Sequence, residues 1–132
     1  MVLDSSAIVA IHLKEPGYER LLKAIDAAVD QSEVLIVGVP TVLETAMVLT
    51  ARLGKDARPI LFAFLRGVEA ELVAFNHEHL DAAVTAFLRF GRGRHPAALN
   101  FGDCMAYTVA SVAGMPLLFT GDDFARTDVA GT

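Results

Sequence analysis

Five acidic residues carry the chemistry this sequence can be expected to perform: Asp4, Glu44, Asp103, Asp122 and Asp123. They come from four separated segments. Asp122 and Asp123 follow directly on the apolar run Leu117-Leu118-Phe119 and the turn pair Thr120-Gly121. Each acid also has a local reading. Asp4 and Asp122 can cap helices, Asn100 and Asp103 have the spacing of a degenerate capping box, and Glu44 suits the positive end of a helix dipole. Gathered together they repel, by about 4 kcal/mol for two unit charges ~4 Å apart at an effective dielectric of ~20. A divalent cation removes that repulsion. Oxygen donors with no cysteine or histidine among them suit the hard ions Mg²⁺ or Mn²⁺. Such a set holds one ion with supporting acids, or two ions roughly 4 Å apart. A centre of this kind acidifies a bound water, orients it on a phosphodiester and stabilises the departing oxygen.

Whether the acids meet depends on the elements that carry them. Met1 to Leu3, Val34 to Val37 and Leu117 to Phe119 read as short apolar strands, the second a continuous run suited to burial on both faces, and Glu71 to Phe75 is strand-like. Ser5 to Leu13, Gly17 to Val29, His77 to Phe90 and Phe101 to Ala113 read as helices, and a last helix is expected after the final strand. Pro40 opens another helix that Gly54 stops, and Asp56 to Leu65 continues it as a hairpin over residues 40–66. Short strands alternating with helices predict a three-layer α/β/α domain with a central parallel sheet. All strands of such a sheet end on one edge, where ligands bind. Asp4, Asp122 and Asp123 follow strands, and Glu44 lies about one turn into the helix after the second. Asp103 begins a helix that runs antiparallel to the strand it feeds, so it reaches the same rim.

Composition supports one domain, residues 1–132, with a sizeable core. The 54% hydrophobic content exceeds what such a core needs and implies a partner surface, a homodimer or another protein. No apolar run reaches the ~18 residues of a membrane span, and Met1-Val2-Leu3-Asp4 lacks the basic start of a signal peptide. The single cysteine, Cys104, rules out an internal disulfide and fits a reducing cytoplasm. Sixteen acids against eleven bases give a net charge of −5. Setting the five candidate ligands aside leaves eleven of each, so the whole deficit can belong to one site.

The stretches "VLDSSAIVA", "PTVLETAMVL", "LNFGDCMAY" and "LLFTGDDFARTD" resemble, in order, the four acidic motifs of the PIN-domain family, and within it the VapC-type toxins of bacterial toxin–antitoxin pairs. The resemblance covers essentially the whole chain. It implies a Mg²⁺-dependent endoribonuclease that cuts a structured RNA of the tRNA or rRNA class and is neutralised by a VapB-type antitoxin. By matching positions, Asp4, Glu44 and Asp103 carry over as metal-site acids. The fourth is Asp122 or Asp123, with Asp122 favoured as the nearer ligand. Ser6 and Thr120 are expected to orient carboxylates through their hydroxyls. Members of the family usually dimerise, and the 40–66 hairpin is where the resemblance puts antitoxin contacts.

An acidic chain of pI about 5.2 is a poor general binder of RNA, and bound cations offset that. Arg92 and Arg94 in the irregular loop Gly91 to Leu99 are candidate phosphate contacts, with Arg126 beyond the site. His77 and His79, two residues apart, face different sides of a helix and do not make the i, i+4 pair of a zinc protease; surface positions are expected for both. Cys104 reads as a small apolar helix residue rather than a nucleophile. No GxxxxGK[ST] or GxGxxG loop supports a nucleotide cofactor. A phospho-acceptor domain, by family comparison, needs a lysine after the last strand, and the only lysines are Lys14, Lys23 and Lys55. A haloacid-type phosphatase needs an aspartate where Ser6 stands. The stronger rival is a binding module with little nuclease activity that acts with its antitoxin on operator DNA.

Overall fold

The shortness of the strands sets the scale of the sheet. The computed structural model describes residues 1–132, and its strands are β1 (Val2–Leu3), β2 (Ile36–Gly38), β3 (Glu71–Val73) and β4 (Leu117–Leu118). They pair in parallel in the order β3-β2-β1-β4, with Val2 opposite both Ile36 and Leu117. Successive side chains on a strand point to opposite faces. Val2, Ile36 and Leu117 therefore enter one apolar layer, and Leu3, Val37 and Leu118 enter the other. The continuous apolar runs of β1, β2 and β4 are explained, since both faces of those strands are covered; on the edge strand β3, Glu71 and Leu72 are exposed.

Helices α1 (Ser5–Leu13), α2 (Tyr18–Asp30), α3 (Val39–Leu53) and α4 (Arg58–Gly67) supply the layer under Leu3, Val37 and Leu118. Helices α5 (His77–Phe90) and α6 (Phe101–Ala113) supply the other. Leu3, Leu117 and Leu118 are fully buried, each worth roughly 2 kcal/mol by transfer of its apolar surface. The expected hairpin is α3 and α4. Gly54, at φ +68°, ends the first helix, and the Thr50 hydroxyl accepts the Ala57 amide at 3.0 Å across the turn.

Strand order places β1 between β2 and β4, so the chain steps to one side of β1 and later crosses to the other. The carboxyl ends of β1 and β4 form the switch point at which ligands collect in such sheets. Two expectations need correction. The segment after β4 is not a helix but a single 3₁₀ turn, Phe124–Arg126. The chain is drawn back to the edge of β4 instead, where Leu117 pairs with Gly131. His79 is not a surface residue: it is 6% exposed, because its ring closes the capping box of α5 with Asn76 and packs 5.2 Å from Phe75.

Candidate metal centre

Asp4 leaves the end of β1 as the N-cap of α1, and the cap decides which of its oxygens is engaged. Its Oδ2 accepts the Ser6 amide at 3.0 Å and the Ser6 hydroxyl at 2.5 Å. Asp103, third residue of α6, uses its own Oδ2 to accept the Asn100 amide at 3.0 Å, while its amide donates to Asn100 Oδ1 at 2.8 Å. Glu44, in α3, accepts the Ser5 hydroxyl through Oε1. In all three acids one carboxylate oxygen serves the local structure, and the hydrogen bonds leave the other to point elsewhere. Capping and ligation are compatible.

The three carboxylates feel one another. Asp4 is 3% exposed and has no cationic partner. Burial pushes its pKa up to about 6 against the opposing hydrogen bonds from Ser6, and the charges of Glu44 and Asp103 raise it further. Burial also raises Asp103; the Asn100 amide opposes the rise, Asp123 and Glu44 add to it, and Arg92 lowers it. Glu44 lies so close to the start of α6 that a Cβ on Gly102 would stand 1.7 Å from its Oε2. The sheet thus gathers Asp4, Glu44, Asp103 and Asp123, from four segments, at the carboxyl edge. Asp122 is exposed and makes no hydrogen bond to the others; of the doubled pair, Asp123 is the one whose charge acts on Asp103.

The supporting residues are not distributed as the sequence predicts. Ser6 does bond Asp4, but Thr120 contributes its amide, which donates to Ser6 Oγ at 3.1 Å, rather than its hydroxyl. Arg92 is exposed, and its charge reaches Asp103. Arg94 lies over the ring of Phe87, 5.6 Å from its centroid, and Arg126 donates to the Pro96 carbonyl. Cys104 is buried, its thiol pushed up by that burial and by Asp103, the opposite of an activated nucleophile. Sequence reasoning passed over Ser5 and Gly102. The doubled serine after Asp4 and the glycine before Asp103 were the available signals.

The donor set suits a hard divalent ion: oxygens only, one oxygen free on each anchored carboxylate, and a buried acid that lacks a cation. The arrangement is an open rim, in which no three acidic, histidine or cysteine side chains converge as a ready chelate. Mg²⁺ requires no such convergence, since it retains water and takes one or two carboxylates directly.

Comparison with known proteins agrees with this geometry. The PIN domain family model matches residues 1–130. Ribonuclease VapC30 of Mycobacterium tuberculosis is 42% identical over 130 residues, 98% of this chain and 96% of that protein. Ribonuclease VapC of Mycolicibacterium smegmatis is 43% identical over 130 residues, covering 98% of each. The crystal structure of M. tuberculosis VapC20, described as a sarcin–ricin loop cleaving toxin, superposes with a TM-score of 0.76 at 15% identity, covering 99% of this chain and 97% of that one. The chain belongs to the PIN-domain family, and its fold is the three-layer α/β/α fold of that family.

Proposed function

We propose that this protein is a Mg²⁺-dependent endoribonuclease toxin of the VapC type, with Mn²⁺ able to replace Mg²⁺. The observation that carries the proposal is Asp4: a carboxylate buried at a sheet's switch point, beside two further acids and without a counter-ion. Chains 42–43% identical over nearly all of this one bear the name ribonuclease VapC, which supports RNA as substrate. When bound, the ion polarises the scissile phosphate and acidifies a water. The residues of this chain do the positioning. Asp4 and Asp103 present the carboxylate oxygens their caps leave free, Ser5 holds Glu44 toward them, and Asp123 closes the rim. Asp122, exposed like Asp123, is the alternative fourth acid. Arg92, at the mouth, contacts a flanking phosphate.

The substrate in this reading is a structured RNA of the tRNA or rRNA class, and the protein works in the cytoplasm. No helix is long and apolar enough to cross a membrane. A VapB-type antitoxin neutralises it at the outward face of the 40–66 hairpin, where Leu43 and Met47 are exposed, and the toxin forms homodimers. Expression without the antitoxin tests the proposal. Growth arrest that Asp4→Asn relieves, with new RNA ends mapped by sequencing only in the wild type, is the expected result. A protein that binds its antitoxin and operator DNA but leaves RNA intact would instead be the binding module.

A further inference from the structure

Asp123, whose charge acts on Asp103, has no hydrogen bond of its own to hold it in place. It sits in the turn after β4, where Gly121 takes φ +85°, and its side chain is exposed. What fixes it must act through the chain that follows. Phe124, the next residue, is 2% exposed and packs 5.1 Å from Phe119. The Thr127 amide and hydroxyl both donate to the Phe124 carbonyl, at 3.0 and 2.7 Å, closing the 3₁₀ turn into a short rigid link. At the far end of that link stands Asp128. Its Oδ1 accepts the Tyr107 hydroxyl at 2.5 Å, and its Oδ2 accepts Arg89 at 2.9 Å.

Tyr107 is four residues after Asp103 on α6, so the two lie on one face of the same helix. Asp103 and Asp128 are thereby referenced to a single rigid element. Tyr107 is itself held, 5% exposed, with its ring 5.6 Å from that of Phe90. We propose that the Tyr107–Asp128–Arg89 tie is a positioning device for the metal centre, holding the Phe124–Thr127 turn against α6 so that Asp123 stands opposite Asp103. Tyr107 and Asp128 are positioning residues: neither touches the reacting atoms. The proposal rests on the metal-centre reading above.

The test measures Mn²⁺ alone, with no RNA, binding to the full chain and to Tyr107→Phe, Asp128→Ala and the double variant, alongside amide hydrogen exchange of each. Each single variant is expected to weaken Mn²⁺ binding by roughly tenfold, as is typical when a group that orients a ligand is lost. The double variant should be no weaker than the worse single, since both break one link. Exchange should quicken at residues 121–126 and stay unchanged in the middle of α6. Variants that melt earlier yet keep wild-type Mn²⁺ affinity and wild-type exchange in that turn would overturn the proposal and leave the tie as a plain stabiliser. Wild-type protein that binds no Mn²⁺ would refute the metal-centre reading itself, and the exchange data would then judge the tie: an unchanged turn refutes it.

Discussion

Two aspartates packed near α6 have opposite surroundings. Asp128 lies on the surface with both oxygens satisfied; the Tyr107 hydroxyl, then Arg89, hold its carboxyl below the usual range. Burial and that same carboxylate push Tyr107 up to about 12. Asp4 is deeper, has no cation, and is shifted the other way, to about 6. A structural acid is stabilised by the partners the fold provides. A site acid is left short of partners, and the deficit is what a ligand fills. The difference cannot be told from residue type, from spacing or from burial alone. It appears only when the partners of each oxygen are counted.

The largest expected effect breaks the deficient member. Asp4→Asn keeps the N-cap, since asparagine caps as well as aspartate, but removes a ligand. RNA cleavage in Mg²⁺ should fall by about 10³-fold or more, the several kcal/mol that a metal centre contributes, as measured on a purified RNA substrate. Asp103→Asn should do the same.

Gly102→Ala displaces the Glu44 carboxylate without harming α6, where alanine is the better helix former by about 1 kcal/mol. Metal affinity should drop roughly tenfold or more while thermal stability holds or rises. Calorimetric titration with Mn²⁺ and a melting curve report the two separately.

Stability against pH sharpens the contrast further. Because the folded pKa of Asp4 lies about two units above its unfolded value of 3.8, the native state binds the proton more tightly, and stability must fall as pH rises from about 4 to about 6. Above that window the charged, buried carboxylate costs about 3 kcal/mol. Metal-free protein should therefore unfold at higher denaturant at pH 5 than at pH 7. Mg²⁺ should stabilise more at pH 7, and Asp4→Asn should flatten the dependence. A metal-free protein that is more stable at pH 7 than at pH 5 by denaturant titration contradicts the assignment.

The smallest effect belongs to the satisfied member. Arg89 and Asp128 are both more than half exposed, so Arg89→Ala should cost under about 1 kcal/mol of folding stability, measured by the same titration.

Much of this was legible in the sequence because it is local. Residues 77–90 and 101–113 were expected as helices and are so, each opened by an asparagine that begins a capping box. The parallel sheet followed from short apolar runs alternating with helical patterns, and three of its four strands, β1, β2 and β4, are indeed buried throughout. The acids fell at strand ends and helix starts, and topology alone brings those to one edge. The last helix was misread because the residues after the final strand carry no local signal of the pairing of Leu117 with Gly131. His79 was misplaced since its burial depends on Phe75, a neighbour the helix pattern does not include.

The sequence by itself determined the elements up to the last strand, their order and the family, since hydrophobic period, caps and acidic motifs are properties of neighbouring residues. Only the tertiary structure shows that the charge of Asp123 reaches Asp103, that Thr120 works through its amide, that Gly102 makes room for Glu44, and that Asp128 is tied to Tyr107. Those outcomes depend on distances between side chains from different segments. Such distances are fixed only when helices and sheet pack, and no spacing along the chain encodes them.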